Sequence, residues 1–395
     1  MIITAADRLH GVETYYFAKK LAEIEAMNQS GGDQVINLGV GSPDINPPDE
    51  VVQQLTTSVM ATHAHRYQPY DGIRPLRTAI SDWYMRVFDA DILPDGEVLP
   101  LIGSKEGVLH ISMAFLNPGD EVLIPNPGYP SYRTCTQLAG GTPIDMPLLE
   151  VNNWKPDLDE LEKKDLSKVK MMWINYPNMP TGAKADLDLF DRLVLFAQKH
   201  KILVCHDNPY CLTLNPKPIS IFNAKDAKNC CLELISFSKS YNMSGWRIGA
   251  VIGSSTYLKN IMTFKSNMDS GMFRPIQEAA IVALGLGSQW TKGLDAQYSK
   301  RKIIAAQIYD LLCMHYQLDT AGLFLWGKIK NGDPKDGETL SNELLHHTRV
   351  FITPGHVFGT QGEAYLRISL CSDEATLNLA LKRISIYKSS INISV

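Results

Sequence analysis

A chain of 395 residues is too long for one small core, so two domains are expected. Hydrophobic residues make up 45%, which excludes a disordered chain, and a formal net charge of -4 without a basic stripe argues against nucleic acid as the main partner. Seven scattered cysteines without a C-x-x-C pair, an N-terminus lacking a basic-then-apolar order and no apolar window of membrane-spanning length point to a reducing cytoplasm, with no disulfide framework, metal site or membrane partner.

In chain order, Phe17, Leu21, Ile24 and Met27 fall at helical spacing within an N-terminal arm and helix ending near residue 33. The glycines of Asn37-Leu-Gly-Val-Gly-Ser-Pro-Asp44 either let backbone approach a ligand or form an ordinary turn. Arg66-Tyr-Gln-Pro-Tyr-Asp-Gly-Ile-Arg-Pro-Leu-Arg77 reads as a turn leading into an amphipathic helix. Glu97-Val-Leu-Pro-Leu-Ile102 is a predicted strand, and Gly103-Ser-Lys-Glu-Gly107 opens a helix behind it. That junction is either an anion site at a helix N-terminus or Ser104 acting as a plain N-cap. Further strands are expected over Asp120–Pro125, Thr142–Leu148, Val169–Ile174 and Lys201–Cys205, the last fully apolar as parallel sheets demand. His206, at the end of that strand, reads as a satisfied core residue.

The apolar run Cys230–Ile235 leads into Ser236-Phe-Ser-Lys-Ser-Tyr-Asn-Met-Ser-Gly-Trp-Arg247 and then a second strand, Ile248–Gly253. The gap has no helical periodicity and is too short for a parallel crossover, so the second strand should run antiparallel to the first. Lys239 sits just past a strand end, where a dry sheet edge lowers an amine's pKa and frees it for a carbonyl. Ser236, Ser238 and Arg247 are phosphate-friendly groups near the same point. Together they suggest a phosphorylated aldehyde held as a Schiff base; a solvated lysine in a polar loop is the plain alternative. Beyond, helices are expected over Ile276–Leu284 and about Leu294–His315, followed by strands Leu323–Ile329, Val350–Thr353 and Tyr365–Leu370, as in a second, α+β domain. Arg367 lies inside an apolar strand and should meet a carboxylate, from the protein or from a ligand.

The string from Ser236 to Arg247 resembles the S-x-S-K-x-x-x-x-x-G-x-R signature of the class I/II aminotransferases, pyridoxal-phosphate enzymes of fold type I. Other motifs follow in family order from Gly41 to Arg367. The resemblance implies an α/β fold: a mostly parallel seven-stranded sheet with one antiparallel strand, covered by helices, plus a smaller α+β C-terminal domain. The implied division is an arm and helix at 1–46, a large domain at 47–282 and a small domain at 283–395. It implies that Lys239 carries pyridoxal 5'-phosphate as a Schiff base. Ser104, Lys105, Ser236, Ser238 and Arg247 hold the phosphate, Tyr129 lies on the ring, and Asp207 keeps the ring nitrogen protonated. Tyr210 reaches the phenolic oxygen. Gly41 and Arg367 meet the substrate carboxylate. Tyr67 and Ser270 reach the cofactor of a partner subunit, which makes the enzyme a homodimer.

The chain departs from the family pattern at two places. The second Asn of N-x-P-x-N-P-T-G is replaced by Met179, so Asn175 or Asn178 substitutes, or Tyr210 acts alone. Ser266 stands where aspartate-type members carry a substrate-binding Arg, and the nearby Lys265 and Arg274 read as surface residues. The implied activity is transfer of an amino group between an L-amino acid and a 2-oxo acid. A carbon–sulfur β-lyase on the same scaffold and an inactive cofactor-binding regulator are the rival readings. Pyruvate, ammonia and a thiol formed without an acceptor would mark the lyase.

Overall fold

The computed structural model describes residues 3–12, 14–330 and 336–392. After a short strand β1 (Ile36–Asn37), seven strands build the main sheet: β2 (Val98–Leu101), β3 (Glu121–Asn126), β4 (Thr142–Pro147), β5 (Val169–Asn175), β6 (Leu203–Asp207), β7 (Cys231–Ser236) and β8 (Gly249–Gly253). Their spatial order is β2-β8-β7-β6-β5-β3-β4. β8 runs antiparallel to both neighbours and every other pairing is parallel. The short return after β7 sets that direction, since it leaves no room for a crossover helix. The gap is not wholly irregular, however. Phe237–Ser240 forms one helical turn because Ser236 Oγ accepts the Ser238 amide at 3.2 Å.

Helices cover both faces of the sheet, and residue parity decides which face each side chain meets. Met172, Ile174 and Val204 pack under the helix Leu187–His200, which buries Leu189, Phe190, Leu193, Val194, Phe196 and Ala197. Each large side chain there contributes about 1.5–3 kcal/mol. Asp186 starts this helix by accepting the Leu189 amide at 3.0 Å, and Lys201, at φ 57°, ends it. Met171, Trp173 and Cys205 face the other way, against the helices Ser104–Phe115 and Ser255–Lys265.

The C-terminal part adds β9 (His315–Tyr316), β10 (Phe324–Lys328), β11 (Val350–Phe351), β12 (Thr353–Pro354) and β13 (Tyr365–Ser369). Four of these form an antiparallel sheet in the order β12-β13-β10-β9, while β11 pairs in parallel with β1. The single strand expected over Val350–Thr353 is thus split between two sheets. The predicted helix reaching His315 stops at Leu311, because Cys313 turns left-handed at φ 55° and releases the chain into β9. The helix Tyr16–Gln29 buries Ile24 against Leu345 and Phe351. Leu38, Val204 and Leu325 belong to one continuous apolar cluster, so the two sheets are packed together.

Candidate active site

β2, β3, β5, β6 and β7 all end at the same edge of the main sheet. β8 runs the other way, so it begins there, and Arg247 just before it reaches that edge too. A cavity of about 580 Å³ lies between this edge and the smaller sheet. Gly41, Ser104, Lys105, Tyr129, Asn175, Asp207, Tyr210, Ser236, Ser238, Lys239, Arg247 and Arg367 all line it.

Lys239 points its amine into the cavity, where it donates to the Gly41 carbonyl. Desolvation, aided by the Arg367 and Arg247 charges, holds its pKa below the usual lysine value. To one side lies a cationic recess. Arg247, at φ 55°, donates to the Ser244 carbonyl at 2.8 Å and approaches Ser238 Oγ at 3.5 Å. The helix Ser104–Phe115 opens here with Gly103, not Ser104, as its N-cap, and with no side-chain cap. The plain N-cap reading of Ser104 is therefore set aside, and the helix start faces the cationic recess with its first amides uncapped by any side chain. Gly103 has φ 83°, and a Cβ on it would lie 2.2 Å from Arg247 Nη2. Only glycine allows the guanidinium to lie this close to the helix start.

Across the cavity, Asp207 is buried at the end of β6. Tyr132 donates to its Oδ2 at 2.7 Å, and the Tyr132 ring is stacked on Trp173 at 4.9 Å. Oδ1 is buried with no partner. Burial pushes the carboxyl up to about 6, opposed by the Tyr132 hydrogen bond and the His206 charge. Toward the smaller sheet, Arg367 is buried, and among the described residues no carboxylate pairs with it. Its guanidinium donates to the Gly39 carbonyl at 2.6 Å and to Met179 Sδ at 3.2 Å, while Nε has no partner. Desolvation lowers its pKa to about 10, which leaves it charged at neutral pH.

The sequence profile of the family "Aminotransferase class I and II" matches residues 33–384. The LL-diaminopimelate aminotransferase of Dehalococcoides mccartyi (strain CBDB1) is 38% identical over 390 residues, covering 98% of this chain and 99% of that protein. Its namesake from Aquifex aeolicus is 38% identical over 381 residues, covering 96% and 98%. The chain belongs to the class I and II aminotransferases. Substrate-bound BacF from Bacillus subtilis superposes with a TM-score of 0.93 at 33% identity over 98% of each chain. The fold is that of the fold type I aminotransferases, and the protein is a pyridoxal-phosphate-dependent transaminase acting on small amino and 2-oxo acids.

Measured against the aminotransferase pattern, three expected site residues lie outside the cavity. Asn178 is buried in its own turn: its amide donates to the Asn175 carbonyl at 3.2 Å and its Oδ1 accepts from Thr181 Oγ1 at 2.8 Å. Asn175 does face the cavity, yet its amide donates to the Asp207 carbonyl at 2.6 Å and its Oδ1 accepts the Met179 amide at 2.7 Å. Tyr67 and Ser270 come together in a surface groove of about 180 Å³, away from their own chain's cavity, with Tyr67 90% exposed. Lys265 is not a surface residue. It is fully buried, and its amine holds the Tyr70 carbonyl and Asp269 at 2.9 Å each, tying the Tyr67 and Ser270 segments to one another. Arg274 pairs with Glu278 at 2.6 Å.

Several cavity residues escape a reading of motifs. Tyr15, Phe17 and Leu21 from the N-terminal arm form one wall, and Phe324 and Phe358 form another. Helical spacing marks Phe17 as a core position, which conceals its place beside Arg367, 5.6 Å away. Tyr132 follows Tyr129 by one helical turn, a spacing that could have flagged it.

Proposed function

We propose that Lys239 is the catalytic base of this transaminase and the residue that tethers its cofactor. The arrangement that carries the reading is an amine of lowered pKa in one cavity with a partnerless buried carboxylate oxygen and a buried guanidinium that has no carboxylate partner among the described residues. Bound pyridoxal phosphate supplies a carbonyl for the amino group and a ring that spreads the negative charge left at the substrate α-carbon. The residues fit that group. Asp207 Oδ1 is free to accept a pyridinium proton while Tyr132 holds Oδ2. Ser104, Lys105, Ser236, Ser238 and Arg247 surround the phosphate position; Tyr129 flanks the ring, and Tyr210, with the remaining Asn175 N–H, serves the phenolic oxygen. Arg367 takes the α-carboxylate beside Gly41, and the Lys239 amine moves the α-proton. Asn178 shapes the turn that carries Met179.

LL-diaminopimelate, on which the named relatives act, is the amino donor we assign, with a 2-oxo acid as acceptor. A homodimer is proposed with it, in which Tyr67 and Ser270 reach the partner's phosphate position. Seven unpaired cysteines support a reducing, cytoplasmic location. The division at residues 46 and 282 is kept as the proposed domain organisation. The test is a screen of amino donors against 2-oxoglutarate and pyruvate, followed by absorbance. Wild type should show a lysine-linked band that bleaches with LL-diaminopimelate and returns with the oxo acid. Lys239→Ala should lose both band and turnover; activity near wild type would refute the assignment.

A further inference from the structure

Behind Asp207, on the other face of the sheet, a second ionisable cluster is sealed in the core. Glu233 of β7 is wholly buried, with four hydrogen-bonding groups around it, two at each oxygen. Tyr84 Oη and Ser220 Oγ reach Oε1 at 2.7 and 2.9 Å, while His206 Nδ1 and the Ile221 amide reach Oε2 at 2.7 and 3.1 Å. Tyr84, Ser220 and the Ile221 amide all come to it as donors, which is the setting of a carboxylate. A buried carboxylate needs a counter-charge. Among the described residues, His206 is the basic side chain in contact with it; the other ionisable groups facing Glu233 are the acids Tyr84, Cys211 and Cys231.

The hydrogen bonds of His206 constrain where its ring protons lie. Nε2 lies 2.8 Å from the Tyr176 carbonyl, which can only accept, and 3.3 Å from the Tyr176 amide. The shorter contact places a proton on Nε2. Nδ1 faces Glu233, and a second proton there would make the ring an imidazolium, the form the proposal below assigns to it. His206 sits one residue before Asp207 on β6. Tyr129, Tyr132 and Tyr210 also face Asp207, but burial keeps all three phenols neutral. Lys105, Lys239, Arg247 and Arg367 line the cavity and are shared with the cofactor and substrate positions.

We propose that the buried Glu233–His206 pair is a positioning device for the cofactor's ring nitrogen: its imidazolium keeps Asp207 ionised, so that the free Asp207 oxygen can hold the ring proton. Glu233 holds the imidazolium in its charged form, and neither residue touches the cofactor. The inference rests on the assignment of Asp207 given above. The His206 charge opposes the upward push that burial exerts on Asp207.

The experiment measures binding of pyridoxal phosphate to apoprotein against pH in four proteins: wild type, His206→Asn, Glu233→Gln and Tyr84→Phe. Binding weakens as pH falls and Asp207 takes a proton, so the acid limb reports Asp207; the cofactor's phosphate titrates alike in all four. Loss of the imidazolium raises the Asp207 pKa. Both charge variants should therefore move the limb up by about one pH unit, or about tenfold weaker binding on its slope. Tyr84→Phe removes a hydrogen bond to Glu233 but no charge and should leave the limb in place. In holoprotein made with cofactor ¹⁵N-labelled at the ring, the charge variants should shift the ring nitrogen signal toward the unprotonated form. An unmoved limb in Glu233→Gln overturns the proposal even if His206→Asn does not fold, and so does an equal shift in Tyr84→Phe. If wild type shows no lysine-linked band, the cofactor assignment itself has failed; a band with an unmoved limb defeats this inference alone.

Discussion

The Arg367 guanidinium carbon lies 3.8 Å from the centroid of Phe324 and 4.5 Å from that of Phe358. These cation–π contacts and the Gly39 carbonyl offset part of the cost of burying it, and a substrate carboxylate, on the role proposed above, would offset more. Arg367→Ala should raise KM for the amino donor about 100-fold, the loss of a charge-assisted pair. Steady-state kinetics beside a cofactor titration checks this: lost cofactor with unchanged KM would make Arg367 structural. Asp207 carries a second prediction. Its folded pKa, about 6, lies above the ordinary 3.8. The folded apoprotein therefore binds that proton more tightly than the unfolded chain. Stability from this group is present below pH 4 and is lost as pH rises through 6, by about 3 kcal/mol. Asp207→Asn should accordingly melt higher than wild-type apoprotein at pH 8 but not at pH 4, while with cofactor bound the order at pH 8 should reverse. Melting curves at the two pH values decide it. That Lys239, Asp207 and Arg247 would meet at one cavity was legible in the sequence, because such charged types are chemically costly beside the termini of apolar strands. Asn178 was not, since an asparagine that bonds a ligand and one that bonds its own turn look alike.

Among the elements, the junction of the helix Ser104–Phe115 with β8 is closely packed at two glycines. Gly249 opens β8 where an added Cβ would lie 2.6 Å from the Ile235 carbonyl and 2.9 Å from the Ser104 amide. Gly103 is closed in by Arg247. Gly103→Ala should displace the Arg247 side chain and strain a backbone at φ 83°, weakening pyridoxal-phosphate affinity at least about tenfold, with circular dichroism unchanged. Equal affinity would mean that Arg247 does not serve the phosphate. The strands and the antiparallel return could be read beforehand, because burial on both faces and a short connection are local properties. The one-turn helix at Phe237–Ser240 could not, since it is too short to show a period.

At the scale of the whole molecule, Gly271 packs so closely on the preceding segment that a Cβ would lie 2.5 Å from the Gln68 carbonyl. The Tyr67 and Ser270 segments therefore present one surface. If it meets a partner's cavity, sedimentation should give a dimer of about twice 44.0 kDa. Tyr67→Phe should then weaken cofactor binding several-fold without dissociating the dimer, the loss of about one hydrogen bond. A monomer with full cofactor affinity would remove both residues from the site. The sequence by itself determined the family, the strand runs and the reactive groups at strand ends, because periodicity and spacing along the chain carry those. Only the tertiary structure decided that Tyr132 holds Asp207, that Met179 touches Arg367 and that Tyr15, Phe17, Phe324 and Phe358 wall one cavity. Such contacts join distant segments, and only the packing of one sheet edge against the smaller sheet brings them within reach.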